Sequence, residues 1–482
     1  VRVAPAGAPV PARRLLPWAL LAAVLMGLTL TRTVDHDESQ YVAATVLAAH
    51  GLMPYRDFAY LQGPLQPLLF APIAWAAGAW TWPALRLVNA LLGALTIALV
   101  HRAARRLGAA PRAAAAAAGL MLCCDILLFS IGVARNDALP AALFAAALVV
   151  MTRLRGGAAT RGSALLTGLL LGAAAAAKVS YALPAIAYGV WALAAPRRHR
   201  PLWLILGAVP PALLVAWCWW TAPEGFLFGV FHFPADAPAE YYAGYPWKLS
   251  LAAKLVDSLK FLALGPALVA LAFVIGRGRM RALAPLLFAC AVAALAPQPT
   301  WRQYWLPFLP PLFIALALAW HRRPPGRNWR IAFGITAAAG LAPSVAALVT
   351  ANGMSLAEAM RTSAAIRATM DRAGVTGPVS TLSPQFLPAT GRLPDADFAT
   401  GPFYFRSRNL LDPGAERRLH LISHARPHVS AHWVLVGGET RRTSGNPDLD
   451  RMLAHAAGGP RTPVPGTGFQ LVRVEQPPSR TR

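Results

Sequence analysis

Asp35, Asp37 and Glu38 place three carboxylates within one helical turn. Such a cluster can supply a general base, because partial desolvation and like-charge neighbours both raise a carboxyl pKa towards a useful range. The same residues also suit helix initiation: Asp37 is a good N-cap for an apolar helix over 42–50, and Gln40 stands at the capping-box position. Asp35-x-Asp37 is in addition a pair of hard oxygen ligands, so a divalent cation is the one cofactor these residues suggest. Beyond Asp35 and Asp37, neither a metal nor another cofactor is expected.

Arg135, Lys178 and Arg302 stand at the ends of apolar runs and outside the arginine clusters described below. Guanidinium donates to phosphate in bidentate fashion, and three such cations could gather around one. The alternative for each is snorkelling at a membrane interface. Asp137, two residues after Arg135, orients it or pairs with it. Asp125 lies inside an apolar run, where a charge costs roughly 2.5–3.5 kcal/mol on insertion scales; it pairs with a neighbouring helix or serves transport. His420, His424, His428 and His432 recur every fourth residue, but Pro427 interrupts any helical face they would form. No Gly-rich phosphate loop and no Gly-x-Ser-x-Gly elbow is present, which leaves hydrolase and nucleotide-driven chemistry without support.

The elements that must position these residues follow from composition. The chain has 482 residues, a net charge of +25, 56% hydrophobic residues and only 13% charged ones. Too little charge covers too much apolar surface for a soluble nucleic-acid binder or a disordered chain. A polytopic helical membrane protein remains. Apolar runs near 15–31, 83–100, 113–131, 138–152, 163–177, 180–195, 202–221, 255–276, 282–297, 304–320 and 331–350 predict about eleven spans. Alternate connections carry Arg2, Arg13 and Arg14; Arg102, Arg105, Arg106 and Arg112; Arg153, Arg155 and Arg161; Arg197, Arg198 and Arg200; Arg277, Arg279 and Arg281; and Arg322, Arg323, Arg327 and Arg330, with no acid among them. By the positive-inside rule these segments, and the N-terminus, are cytoplasmic. The chain is then a multi-pass protein of the cytoplasmic (inner) membrane, with an uncleaved first span.

Two units are expected: a transmembrane part over 1–351, and a small α/β domain over 352–482 on the outer, periplasmic or extracytoplasmic side. In that domain, 356–373 and 448–457 read as helices, and 378–382, 433–436 and 469–474 as strands. The first outer segment, 32–82, ends in a Pro- and Trp-rich apolar stretch, 65–80, that reads as an interfacial helix. A second outer segment, 222–248, is rich in aromatics. Cys123, Cys124, Cys218 and Cys290 all fall within spans, so no disulfide framework or zinc spacing exists.

The ordered set Asp37-Glu38-x-x-Tyr41, Gly51-x-x-Pro54-Tyr55-Arg56-Asp57-Phe58, Gly63-Pro64-Leu65, Arg86-Leu87, Arg135-x-Asp137, Lys178 and Tyr304-x-Leu306-Pro307-x-x-Pro310 resembles the GT-C superfamily of integral-membrane glycosyltransferases. The likeness is greatest to the family 39 branch of protein O-mannosyltransferases and lipid A aminoarabinose transferases, and it covers about 30–350. It implies an inverting transfer from a polyprenyl-phosphate sugar, with Asp37 as the carboxylate that deprotonates the acceptor hydroxyl; Asp35 is an extra acid that could serve instead, and Glu38 completes the acidic set. Arg135, Lys178 and Arg302 become the expected phosphate neighbours, and Tyr41, Tyr55, Arg56, Arg86, Asp137 and Tyr304 further substrate-binding residues. Many relatives carry a basic residue before the Pro of the second interfacial helix, where this chain has Gln62-Gly63-Pro64. The implied partners are a polyprenyl-phosphate sugar lipid, membrane lipids and an acceptor whose class is not readable; nucleic acid is not among them. The rival functions are a flippase or transporter of lipid-linked sugars, an oligosaccharide polymerase or ligase, and a scaffold presenting the outer domain.

Overall fold

The computed structural model describes residues 12–152, 159–277, 283–349, 353–427 and 429–475. Arg2, Arg153, Arg155, Arg279, Arg281, His428 and the tail after Glu475 lie outside the described residues, as do the side chains of Arg13 and Arg14. The fold is mostly helical, with a small antiparallel sheet near its C-terminal end.

Among the described residues, four helices are long and apolar enough to cross a membrane: Leu65–Arg106, Pro201–Thr221, Arg302–Arg322 and Arg327–Ala347. Counting two bent pairs as spans makes six. Shorter apolar helices occupy Leu15–Thr31, Ala138–Met151, Arg161–Ala177, Val179–Ala194 and Ala284–Leu295. The expected eleven uniform spans are therefore a mixture of long, short and broken helices. The break between Pro111–Leu122 and Asp125–Ile131 bends the chain by 65°, and that between Leu251–Ala263 and Ala267–Ile275 by 94°. The two breaks face each other, since the amide of Asp125 donates to Leu264 O at 3.1 Å. Glycine makes this possible: a Cβ on Gly340 would lie 2.0 Å from Cys123 O, and Gly265 has φ +130°. The expected interfacial helix and second span also differ from their expectation. Leu65–Ala77, a tight turn at Gly78–Trp80 and Thr81–Arg106 form one run of 42 residues.

The helices Arg161–Ala177 and Pro201–Thr221 cross at two glycines. A Cβ on Gly168 would stand 1.8 Å from Leu204 O, and one on Gly207 would stand 1.9 Å from Leu165 O. Small residues let two backbones touch, which drives helix association where lipid supplies no hydrophobic gain.

The C-terminal domain begins with helix Leu356–Arg372, capped by Ser355 Oγ accepting from the Glu358 amide at 3.1 Å. Strands Trp433–Val436, Arg461–Pro463 and Gln470–Arg473 form the sheet, with the last strand in the middle and both pairings antiparallel. Val379 and Ser380 make only isolated bridges, to Pro394 and Val434, in place of the expected strand at 378–382. The domain is stitched to the segment after the first helix: Thr33 bridges Ser355, and the Val34 amide donates to Met354 O at 2.7 Å. One buried cluster then runs from Val42, Trp82 and Leu85 to Ile366, Phe386 and Leu435.

Replacing Gly168 or Gly207 with Leu should cost about 1–3 kcal/mol through overpacking, or abolish folding where the backbones cannot part. Thermal unfolding of the detergent-solubilised protein, followed by size exclusion, reads this; a melt equal to wild type would show that the crossing is loose.

Candidate active site

The first helix ends at Thr31, and the turn Asp35-His36-Asp37 follows, closed by Glu38 N to Asp35 O at 3.1 Å and Ser39 N to His36 O at 3.0 Å. The next helix starts at Glu38 rather than Val42. Asp37 holds its N-cap position, yet its carboxylate caps nothing, so the helix-capping reading of Asp37 and Gln40 does not hold. Instead Asp37 Oδ1 lies 3.1 Å from His36 Nε2, and Oδ2 contacts Arg135 Nη1. Asp35 Oδ2 is 4.0 Å from the same guanidinium nitrogen.

Glu38 has a different office. Its side chain is fully buried and accepts five hydrogen bonds, from Trp82 Nε1, Arg86 Nε and the Ala134 amide, each at 2.8 Å, from the Asp35 amide at 3.2 Å, and from Arg86 Nη2. Arg86 spends its remaining donors on the carbonyls of Thr29, Arg32 and Thr33 at the end of the first helix. With neither group exposed, Arg86 is a strut and not a substrate contact, which corrects its expected role. Glu38 has no vacant oxygen for proton transfer.

Arg135 lies on the loop between Asp125–Ile131 and Ala138–Met151. Asn89 Nδ2 fixes that loop by donating to Val133 O and Arg135 O, both at 2.8 Å. Arg135 Nε reaches Asp137 Oδ2 at 3.3 Å, and the other Asp137 oxygen takes Lys178 Nζ. Lys178 occupies the junction between two helices, 5.7 Å from the Tyr304 ring. Arg302 pairs with Asp125 at 2.8 Å, so the acid in the broken span finds its partner on another helix. Arg302 and Arg135 both stack on Phe129, at 3.5 and 4.9 Å. Asp37, Arg135 and Arg302 thus converge on one cluster. Within it Arg302 is the accessible cation, with 31% of its side chain exposed against 5% for Arg135 and 8% for Lys178. Asp35 and Asp37 each keep 21%.

Tyr41 is buried beside the cluster, within reach of the charges of Arg135, Asp137 and Asp37. Tyr55 is buried away from it and donates to Gln62 O. Arg56 pairs with Asp57 at 2.7 Å on the exposed side of its turn, so the structure does not bring it to the cluster. The turn 54–60 packs on the helical segment 226–233, with Tyr55 and Phe226 5.2 Å apart and Gly229 pressed against Tyr60 O. Sequence reasoning missed His36 and Arg32. The signal for Arg32 was an arginine at the end of the first apolar run, outside the arginine clusters; its Nη1 donates to Leu128 O at 3.0 Å, and it also faces Phe129.

Electrostatics divides the two aspartates. Burial favours the neutral form of Asp37, but Arg135 and His36 outweigh it and hold the carboxyl well below its usual range. Asp35 is pushed up by burial and by the charge of Asp37. Burial alone would lower the His36 pKa, yet the contact with Asp37 raises it to about 9. Asp35, His36 and Asp37 also each offer a ligand atom within 4.8 Å of the others. A cation there would compete with Arg135 and with the proton on His36.

The family model described as dolichyl-phosphate-mannose-protein mannosyltransferase matches residues 58–230, which take in Arg86, Arg135, Asp137 and Lys178 but neither Asp37 nor Arg302. The crystal structure of ArnT from Cupriavidus metallidurans bound to undecaprenyl phosphate superposes with a TM-score of 0.57 at 18% identity, over 96% of this chain and 98% of that one. The fold is that of this ArnT structure. The apo structure of the same ArnT matches with a TM-score of 0.49 at 20% identity, over 85% of this chain and 76% of that one. Among curated proteins none matches significantly by sequence.

Glu38→Gln should destabilise the helical bundle by about 3–5 kcal/mol, because it leaves a buried guanidinium without its counter-charge. A thermal melt close to wild type would mean that water or another group replaces the charge. The raised pKa of His36 has a defined sign: its stabilisation is complete below pH 6.5, and is lost as pH rises through about 9. Melting temperatures from pH 6 to 10 should therefore fall more steeply for wild type than for His36→Asn, and parallel curves would contradict the His36–Asp37 pairing.

Proposed function

We propose that this chain is an inverting glycosyltransferase that moves a sugar from a polyprenyl-phosphate donor to an acceptor hydroxyl at the outer face of the cytoplasmic membrane. The observation that carries this reading is the Asp37–Arg135 contact, which places a candidate base against a candidate phosphate-side cation in a GT-C fold. The fold neighbour ArnT holds undecaprenyl phosphate, which supports the lipid class of donor. The arginine-bearing connections supply the orientation, with the N-terminus inside and the domain after 351 outside.

The acceptor hydroxyl loses its proton to the aspartate pair as its oxygen bonds to the anomeric carbon and the carbon–phosphate-oxygen bond breaks. The lipid phosphate departs with the electron pair, and its growing charge is what Arg302 and Arg135 stabilise. Asp37 is ionised at every working pH, and it becomes a stronger base when Arg135 turns towards the leaving phosphate. Asp35, with its raised pKa, is the second candidate. Lys178 acts through Asp137, whose other oxygen holds Arg135. Among the described residues Asp37, Arg135, Asp137 and Lys178 form one connected cluster, with the Arg302–Asp125 pair sharing Phe129 with Arg135, which favours an enzyme over a flippase.

The test compares wild type, Asp37→Asn and Asp35→Asn for transfer from a panel of polyprenyl-phosphate sugars, with folding confirmed for each. Asp37→Asn should lose about 10²–10⁴-fold in rate, and Asp35→Asn less. Unimpaired transfer by Asp37→Asn removes it as the base, and lipid movement without transfer by wild type favours the flippase.

A further inference from the structure

Helix Leu251–Ala263 is not half of a straight span. Through Gly265 and Pro266 the chain turns by 94° into Ala267–Ile275. Lys254 Nζ donates to Leu295 O at 2.6 Å, so the helix also rests on the end of Ala284–Leu295, where a cation suits the terminal carbonyls. It therefore lies across the ends of two helices of 9 and 12 residues. At about 1.5 Å per residue these rise about 14 and 18 Å, against a hydrocarbon core of about 30 Å.

The side chains of this helix fall on three faces. Lys254, Ser258, Phe261 and Leu262 are buried against the protein. Leu251, Leu255, Val256 and Leu259 are 70, 49, 64 and 55% exposed and form an apolar stripe. Asp257 and Lys260 pair at 2.9 Å on a third face, with 35 and 57% of their side chains exposed. The stripe does not suit water, and the open charged pair does not suit hydrocarbon. The boundary between the two suits both. Just before the helix, Tyr245 and Trp247 are exposed and Lys248 Nζ lies 5.2 Å from the Tyr242 ring, which is the make-up of an interfacial anchor. Three of the chain's four lysines, Lys248, Lys254 and Lys260, fall in this stretch. The opposed break has the same character. The Asp125 amide donates to Leu264 O at 3.1 Å, and Asp125 pairs with Arg302, whose side chain is 31% exposed. Polar groups thus open at one level on both broken helices.

We propose that helix Leu251–Ala263 lies in the lipid headgroup layer and draws the bilayer thin on this side of the bundle. Leu251, Leu255 and Leu259 sit among acyl chains, and Lys248 and Lys260 meet the phosphates of phospholipids. The occupant of this face is phospholipid, since lysine complements its phosphate and its headgroups leave the Asp257–Lys260 pair solvated. By the orientation proposed above the leaflet is the outer one. The inference concerns the membrane and not the reaction, so its failure leaves the transferase reading standing.

The test places the purified full chain in nanodiscs of phosphatidylcholine with phosphatidylglycerol. Leu255→Cys and Lys260→Cys are compared with the unsubstituted chain, whose four native cysteines set the background. A charged maleimide that does not enter hydrocarbon should label Lys260→Cys about tenfold faster than Leu255→Cys. A bimane on Leu255→Cys should be quenched most by lipids carrying a nitroxide near the headgroup. If Lys260→Cys labels no faster, and bimanes at both positions are quenched most by nitroxides at the chain end, the helix runs through the core and the inference falls. If both label equally fast and neither bimane is quenched, the stripe meets water and the inference also falls. Thinning has its own readout: thermal unfolding in short-chain phosphatidylcholine should come a few degrees above that in long-chain lipid. An unfolding temperature that is equal or higher in the long-chain lipid overturns the thinning.

Discussion

The Glu38–Arg86 pair is the interaction on which the rest depends. It joins three pieces of backbone that have no other reason to meet: the end of the first helix, the start of the first-loop helix, and the Ala134 amide beside Arg135. Both partners are fully buried, so their desolvation costs much of what their attraction returns. What the pair secures is position. With Glu38 held, the preceding turn can place Asp35 and Asp37 only on one side, and with the Ala134 amide held, Arg135 can arrive only from the other.

From that fixed point the charges alternate. Asp37, Arg135, Asp137 and Lys178 form a chain in which each inner member touches two of opposite sign. Each inner member keeps one partner if the other is lost, and removing Asp137 would take both Lys178 and Arg135 away from a shared carboxylate, so the chain resists rearrangement. Under the proposed transfer, a departing phosphate would offer Arg135 a new partner as Asp37 acquires a proton.

Much of this was legible in the sequence. Asp37, Arg135 and Arg302 stood out because the clustered arginines of the alternate connections could be set aside as expected topology signals. The helices of the C-terminal domain and two of its strands followed from apolar periodicity. Three things were hidden. Glu38 and Arg86 read as site residues, since a pairing across 48 positions leaves no local trace. The breaks at 123–124 and 264–266 lie in apolar runs whose hydropathy is that of an unbroken span; only the opposed Gly265 and Gly340 hint that backbones meet there. Arg32 was not singled out, although it too stands at the end of an apolar run and outside the arginine clusters.

The C-terminal domain forms one wall of the site. Gly401, at φ +56°, lets the chain pass so close to the helix starting at Glu38 that a Cβ would lie 2.4 Å from Ser39 Oγ. Phe403 then meets the His36 ring edge-on at 6.0 Å, and Tyr241 donates to Phe403 O. The aspartate turn is therefore held between this wall and Arg135, with 21% of each aspartate side chain left exposed. Under the proposed transfer both reactants would reach the aspartates through that remaining opening, so the wall that encloses His36 would limit how large a group can accompany the accepting hydroxyl.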